Sequence, residues 1–224
     1  MRQSSAHRRR RRPVVRLSAA AALLAGGGGV IALTAPGASA ACSDIEVVSA
    51  RGTFEPGTLG TIVGDPVFSA LQKRLTGKNL TSHKVDYPAD LSLGSSAQGN
   101  TDLVNHVKSQ ASSCPAQKFI LVGYSQGANV VDNSIGISSA GSPVGGAITA
   151  TIPDDVEPKV SAVLLFGNPI RSLGKSVTGT YADRTHDVCA QGDPVCESGG
   201  NDTLAHLSYR DDAEEAAAFA AGKV

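Results

Sequence analysis

Gly123-Tyr-Ser125-Gln-Gly127 sets a serine between two glycines directly after the apolar run Phe119-Ile-Leu-Val122. Gly-x-Ser-x-Gly is the sequence form of a nucleophile elbow, a tight strand-to-helix turn that lifts a serine above a sheet. The glycines have a steric reason to be there, because the turn is strained and other backbone approaches closely. In a chain with 25 glycines the pattern alone is weak, but the apolar run before it and the helix-like Ala128-Asn-Val-Val-Asp132 after it sharpen it. The chemistry indicated is acyl transfer through a covalent serine intermediate.

Such a serine needs an imidazole to take its proton and a carboxylate to hold that imidazole in the useful tautomer. Beyond residue 40 the histidines are His83, His106, His186 and His206. After an elbow of this kind the acid and then the histidine follow in chain order, which leaves His186 and His206. His206, in the small apolar Thr203-Leu-Ala-His-Leu207, is read as the base; His186, in the very polar Arg184-Thr-His-Asp187, is read as a surface-loop residue.

Asp193 is read as the acid, because Gly192, Pro194 and a bridge between the flanking Cys189 and Cys196 would restrict its loop and preorganise its charge. Asp187 and Asp202, each close to a candidate histidine, are the rivals. A second Gly-Asp-Pro-Val, at 64–67, precedes the serine and is expected to cap a helix. An oxyanion is met by the backbone N–H of the residue after the serine, Gln126, and by a donor from the loop Arg51-Gly-Thr-Phe-Glu55, where Thr53 offers its N–H and its hydroxyl.

The elements that must carry these residues alternate. Strands are expected over 45–49, 80–85, 118–122 and 160–166, with a short one over 177–181; helices over 65–75, 100–111, 126–135 and 210–221, the last with Phe219 as its main apolar anchor. The segments 53–64, 88–99 and 139–150 read as loops. Short apolar runs at 118–122 and 160–166 suit strands buried on both faces, hence a parallel sheet. The expected fold is a three-layer α/β/α sandwich around a central, mostly parallel sheet.

Residues 1–40 read as a secretory signal peptide. Seven arginines and no acid lie within 2–16, an apolar segment follows from about residue 19, and Ala38-Ser-Ala40 offers a cleavage site. Arg11-Arg12 weakly suggests twin-arginine export, alongside the general route. Beyond residue 40 the chain carries 13 basic and 20 acidic residues, a net charge of −7, which gives no support to a nucleic-acid partner.

Residues 41–224 suit one domain with a real core. They hold no tryptophan, leaving few candidates for an aromatic sugar-binding platform. Four cysteines in an exported chain favour two disulfides; of the three pairings, Cys42–Cys114, tying down the N-terminus, and Cys189–Cys196, closing a short loop, are favoured over a metal site. Asn79-Leu-Thr81 and Asn201-Asp-Thr203 are formal glycosylation sites, read as unused given the bacterial look of the leader.

Taken together, Ala50-Arg-Gly-Thr-Phe-Glu55, the Gly-Tyr-Ser-Gln-Gly elbow, Phe166-Gly-Asn-Pro169, the Gly-Asp-Pro-Val-Cys196 segment and His206-Leu-Ser-Tyr209 resemble the cutinase family, in its actinobacterial-type branch. The resemblance implies a compact, lidless α/β-hydrolase with a shallow, exposed site. It implies a triad of Ser125, Asp193 and His206, an oxyanion hole of Thr53 and Gln126, and the two disulfides named above. It further implies no metal or organic cofactor and no permanent membrane anchor. The protein would be a monomeric, extracellular serine carboxylesterase acting on cutin-like polyester, short- to medium-chain esters or lipids.

Two departures stand out. The segment from Tyr87 to Gly99 looks short and polar, and no asparagine to support the oxyanion residue is evident there beyond Asn100. The rim from Glu197 to Thr203 is polar until Leu204, which weighs against an insoluble polyester. An acetylxylan esterase and a phospholipase or thioesterase of cell-envelope lipids are the neighbouring readings; a non-catalytic surface protein is the remote one.

Overall fold

The computed structural model describes residues 42–224; the leader read at 1–40 lies outside the described residues. Five parallel strands form one sheet: β1 (Ile45–Ala50), β2 (Leu80–Lys84), β3 (Lys118–Tyr124), β4 (Val160–Phe166) and β5 (Thr185–Val188), in the order β2-β1-β3-β4-β5. Among the described residues four α-helices cover it: α1 (Gly64–Arg74), α2 (Ser95–Ser113), α3 (Gln126–Ser134) and α4 (Ala213–Ala221). The strand order reverses between β1 and β3, and in an open sheet of this kind the crevice beyond the C-terminal strand ends at that reversal is where ligands bind.

The three central strands are covered on both faces, which is why they read as continuous apolar runs rather than as alternation. Their side chains still alternate in space. Val48, Phe119, Leu121, Val163 and Leu165 face α2 and α3, whereas Val47, Ile120, Val122, Leu164 and Phe166 face α1 and α4. Burying a side chain of this size contributes roughly 1.5–3 kcal/mol, so the sheet is the rigid base from which the site projects. Cys42–Cys114 (S–S 2.03 Å) joins the segment before β1 to the end of α2, and Cys189–Cys196 (2.00 Å) closes the loop after β5.

Several expectations are corrected. Residues 177–181 do not form a strand. Gly179, at φ +70°, interrupts extended backbone, a 3₁₀ helix runs Gly179–Arg184, and the edge strand comes next, at Thr185–Val188. His186 therefore lies in β5 against Phe219 (ring centroids 5.3 Å), not in a surface loop.

Helix α2 begins at Ser95, inside the expected loop, because Ser95, Ser96, Gly99 and Asn100 bury a small-residue face; a Cβ on Gly99 would sit 2.9 Å from Val130. Asp65 does not cap α1: it lies in the first turn and its Oδ1 accepts the Leu59 N–H (2.9 Å). Ala213, Ala216, Ala217 and Ala220 anchor α4, while Phe219 is only half-buried. Among the described residues no helix is long and apolar enough to cross a membrane.

Candidate active site

Ser125 is the residue between β3 and α3, and it holds φ +54°, ψ −118°. A side-chain-bearing residue in this region costs on the order of 1–3 kcal/mol, and the packing around it supplies the constraint. Ser125 N–H donates to the Phe166 carbonyl (2.9 Å), tying the elbow to β4. A Cβ on Gly127 would stand 1.9 Å from the Ala50 carbonyl oxygen, and one on Gly123 would stand 2.7 Å from the Gly127 carbonyl oxygen. Only glycine lets the elbow seat this closely on the end of β1.

Three side chains from separate segments meet in a row. His206 Nε2 lies 2.9 Å from Ser125 Oγ, and His206 Nδ1 lies 2.8 Å from Asp193 Oδ2. Asp193 is fully buried, and its Oδ1 accepts the Val195 N–H at 2.8 Å. Its loop is held by the Cys189–Cys196 bridge and by Gly192 at φ +86°. Gly200 packs so tightly that a Cβ would come within 2.6 Å of the Asp193 carbonyl oxygen.

His206 sits in a short 3₁₀ turn, Ala205–Leu207, and Tyr124 from β3 donates its hydroxyl to the His206 carbonyl (2.6 Å). At Gly167, φ +55°, a Cβ would lie 2.9 Å from His206 Cε1 and 3.1 Å from Asp193 Oδ2. The Phe-Gly-Asn-Pro motif thus leaves room for the imidazole–carboxylate pair.

The donor side of the site is built where β1 and β3 adjoin. Gln126 is the first residue of α3, so its N–H has no intrahelical acceptor and lies at the positive end of the helix. The Thr53 N–H makes no hydrogen bond among the described residues. Its hydroxyl donates to Gln126 Oε1 (3.1 Å), while Gln126 Nε2 donates to the Asp90 carbonyl (2.9 Å).

Crossed bonds clamp the loops that carry these groups. Tyr87 donates its hydroxyl to the Arg51 carbonyl, Arg51 Nη2 donates to the Tyr87 and Pro88 carbonyls (3.0 and 3.1 Å), and Phe54 N–H donates to the Ala89 carbonyl (2.7 Å). Beneath them, buried Glu55 accepts the N–H groups of Gly52 (2.6 Å) and Ile62 (2.7 Å); burial raises its pKa above the ordinary carboxylate value, and these donors hold the rise down.

The remaining candidates lie elsewhere. Asn100 bonds to neither Thr53 nor Gln126: its side chain holds Thr149 and Ala150 (2.8–3.1 Å) and donates to Ser134 Oγ (2.9 Å) at the C-terminal end of α3. Asp187 bonds to Asn168, and Asp202 Oδ1 accepts the Leu204 N–H. His83 and His106 stack on each other at 3.4 Å, with His106 on Glu46. Among the described residues no three His, Cys, Asp or Glu side chains converge in a way that could hold a metal.

The rim is less polar than its sequence reads. Leu91 and Leu93 point outward from the loop that bonds Gln126, Leu204 and Leu207 flank His206, and Phe54 follows Thr53 at 70% exposure. Tyr209, whose hydroxyl donates to Asp193 Oδ2, carries no role in the sequence reading. The available signal was its spacing three residues after His206, which in 3₁₀ geometry brings both to one face.

The cutinase family model matches residues 41–224. A cutinase of Botryotinia fuckeliana is 39% identical over 193 residues, covering 84% of this chain and 88% of that protein. Phospholipase Culp4 of Mycobacterium tuberculosis is 40% identical over 178 residues, covering 78% and 76%. The solved structure of a Trichoderma reesei cutinase in complex with a phosphonate inhibitor superposes with a TM-score of 0.65 at 38% identity, covering 81% of this chain and 76% of that one. The chain belongs to the cutinase family of serine esterases.

Proposed function

We propose that this protein is an exported carboxylesterase that cleaves cutin-like polyesters and short- to medium-chain acyl esters, with Ser125 as nucleophile, His206 as base and Asp193 as the acid. The observation that carries the assignment of roles is the unbroken row from Ser125 Oγ through His206 to buried Asp193, at 2.9 and 2.8 Å. In the first half of the reaction His206 Nε2 takes the Ser125 proton as Oγ attacks the ester carbonyl. Asp193 stabilises the resulting imidazolium. The Thr53 and Gln126 N–H groups receive the oxyanion, and His206 returns its proton to the leaving alcohol. In the second half water, deprotonated by His206, releases the acid from the acyl-serine. No step calls for a metal or organic cofactor.

The exposed apolar residues Phe54, Leu91, Leu93, Leu204 and Leu207 favour substrates presented on an apolar surface. This reverses the inference drawn from the polar segment at 197–203 alone. Export is inferred from the leader reading of 1–40 together with two disulfides, which persist in oxidising compartments. A phospholipase reading has one specific support, the similarity to phospholipase Culp4.

Initial rates on p-nitrophenyl esters from acetate to palmitate, for wild type and Ser125→Ala, test the proposal. The expected result is a maximum at butyrate to octanoate and a loss in the variant of several orders of magnitude. Activity confined to acetate would move the assignment to a deacetylase, and fatty acid release from phosphatidylcholine vesicles at comparable rates would favour the phospholipase. A Ser125→Ala variant as active as wild type removes the serine from the mechanism.

A further inference from the structure

Tyr209 is fully buried at the end of the hydrogen-bonded row. Its hydroxyl oxygen accepts the Ala190 N–H (3.1 Å), and its proton is donated to Asp193 Oδ2, a charged and far stronger acceptor than the other neighbour, the disulfide sulfur of Cys196 at 3.3 Å. That same carboxylate oxygen receives His206 Nδ1. The ring is fixed edge-on by Tyr124 (centroids 5.9 Å) and Phe166 (6.0 Å), and it stands at 90° to His206. A phenylalanine would fill this space equally well; the hydroxyl is what packing alone does not require.

Resting on the reading of Ser125, His206 and Asp193 as the triad, we propose that Tyr209 is a positioning residue. Its hydroxyl shares the negative charge of Asp193 Oδ2 with His206, and so sets the pH at which His206 becomes free to act as base. A carboxylate oxygen that accepts two donors stabilises an imidazolium less than one that accepts a single donor. The phenol therefore lowers the pH at which His206 gives up its proton, and it fixes the carboxylate oxygen toward Nδ1.

The titratable groups turned toward this cluster are Asp193 from the disulfide loop, His206 from its 3₁₀ turn and Tyr124 from β3, with the Glu55 charge acting on Tyr124 from below. Phe166, Gly167 and the disulfide contribute no charge. Burial first, then the bond to Asp193, hold the Tyr209 phenol well above its ordinary range, so it stays a donor throughout the working pH range.

The test is the pH profile of kcat/KM on p-nitrophenyl butyrate for wild type and Tyr209→Phe, with Ser125→Ala alongside. Loss of one charge-assisted bond is expected to move the acid limb up by about half to one pH unit and to lower kcat by about tenfold, with KM little changed. A limb that stays in place, even with a lower Tm, overturns the proposal by making the hydroxyl merely structural. Should Tyr209→Phe fail to fold, fluorotyrosine at position 209 keeps the shape and strengthens the donor; the limb then moves down, and an unmoved limb again overturns the proposal. Loss of activity in Ser125→Ala with an unmoved limb sinks only the role of Tyr209, whereas retained activity in Ser125→Ala sinks the triad reading and this proposal with it.

Discussion

Asp193 and Asp132 are both wholly buried aspartates, one on the loop after β5 and one in the last turn of α3. Asp193 is surrounded by donors: the Val195 N–H on one oxygen, and His206 Nδ1 and the Tyr209 hydroxyl on the other. Neither carboxyl oxygen of Asp132 has a hydrogen-bond partner. Burial first, and then the charge of Asp187, push the Asp132 pKa well above the ordinary carboxylate value; Asn168 pulls the other way without reaching bonding geometry. One interior position is lined with donors; the other has none and holds its proton to a higher pH. Burial alone therefore does not decide whether a carboxyl group is ionised; the donors aimed at it do.

Putting asparagine at both positions is the sharpest way to break that contrast. Asp193→Asn keeps the shape but replaces an acceptor with a group that can donate toward His206, turning the imidazole into the wrong tautomer. The expected loss in kcat on p-nitrophenyl butyrate is about 10⁴-fold with the fold intact. A loss of less than tenfold would mean that Asp193 is not the acid, and would return Asp187 and Asp202 to consideration.

A second negative charge forms only during the reaction, on the ester oxygen, and it too must be met by fixed donors. Thr53→Val removes the hydroxyl that orients Gln126 Oε1 while leaving the Thr53 N–H in place. One neutral hydrogen bond corresponds to about a tenfold fall in kcat, with KM little affected. An unchanged kcat would mean that the crossed bonds of Arg51, Tyr87 and Asp90 hold Gln126 without help from Thr53.

The parts of the molecule legible in the sequence are those whose signal is local. The elbow announces itself because an apolar strand, two sterically required glycines and a helix start are contiguous, and β3 and β4 because strands buried on both faces have no polar alternation. His206 is read ahead of His186 by its small apolar setting, and Asp193 ahead of Asp187 and Asp202 by its restricted loop and the family resemblance, since chain order leaves all of them open. What stayed hidden depends on contacts distant in sequence. Thr185-His-Asp-Val188 is too polar to read as a strand, yet it pairs with β4 along one edge. Ser95, Ser96, Gly99 and Asn100 bury a small polar face that apolar periodicity does not register. Leu91 and Leu93 sit in a segment polar by composition, and only the bond from Gln126 to Asp90 brings them to the rim. Nothing in Val130-Val-Asp132 signals that its aspartate faces inward without a partner.

The smallest effect belongs to Asp132→Asn, and it is the one whose sign depends on pH. In the unfolded chain Asp132 releases its proton near pH 4, whereas the folded protein holds on to it to a higher pH. Over that interval the folded state binds more protons than the unfolded state, so this group's contribution to stability is fully present below about pH 4 and is lost as pH rises through the folded value. Asparagine does not titrate. Wild type and variant should therefore be close in stability at about pH 4, and the variant should gain steadily toward neutrality, by roughly 1 kcal/mol or more, the scale of one unpaired buried polar group. Glu55, also shifted upward by burial, is common to both proteins and drops out of the difference, whereas Asp187, whose charge acts on Asp132, is part of it. Urea unfolding at several pH values reads that difference directly, and esterase activity should not change, because Asp132 does not touch the Ser125–His206–Asp193 row. A variant whose destabilisation grows as pH rises above about 4 would show that Asp132 is ionised and paired after all, and the contrast with Asp193 would collapse.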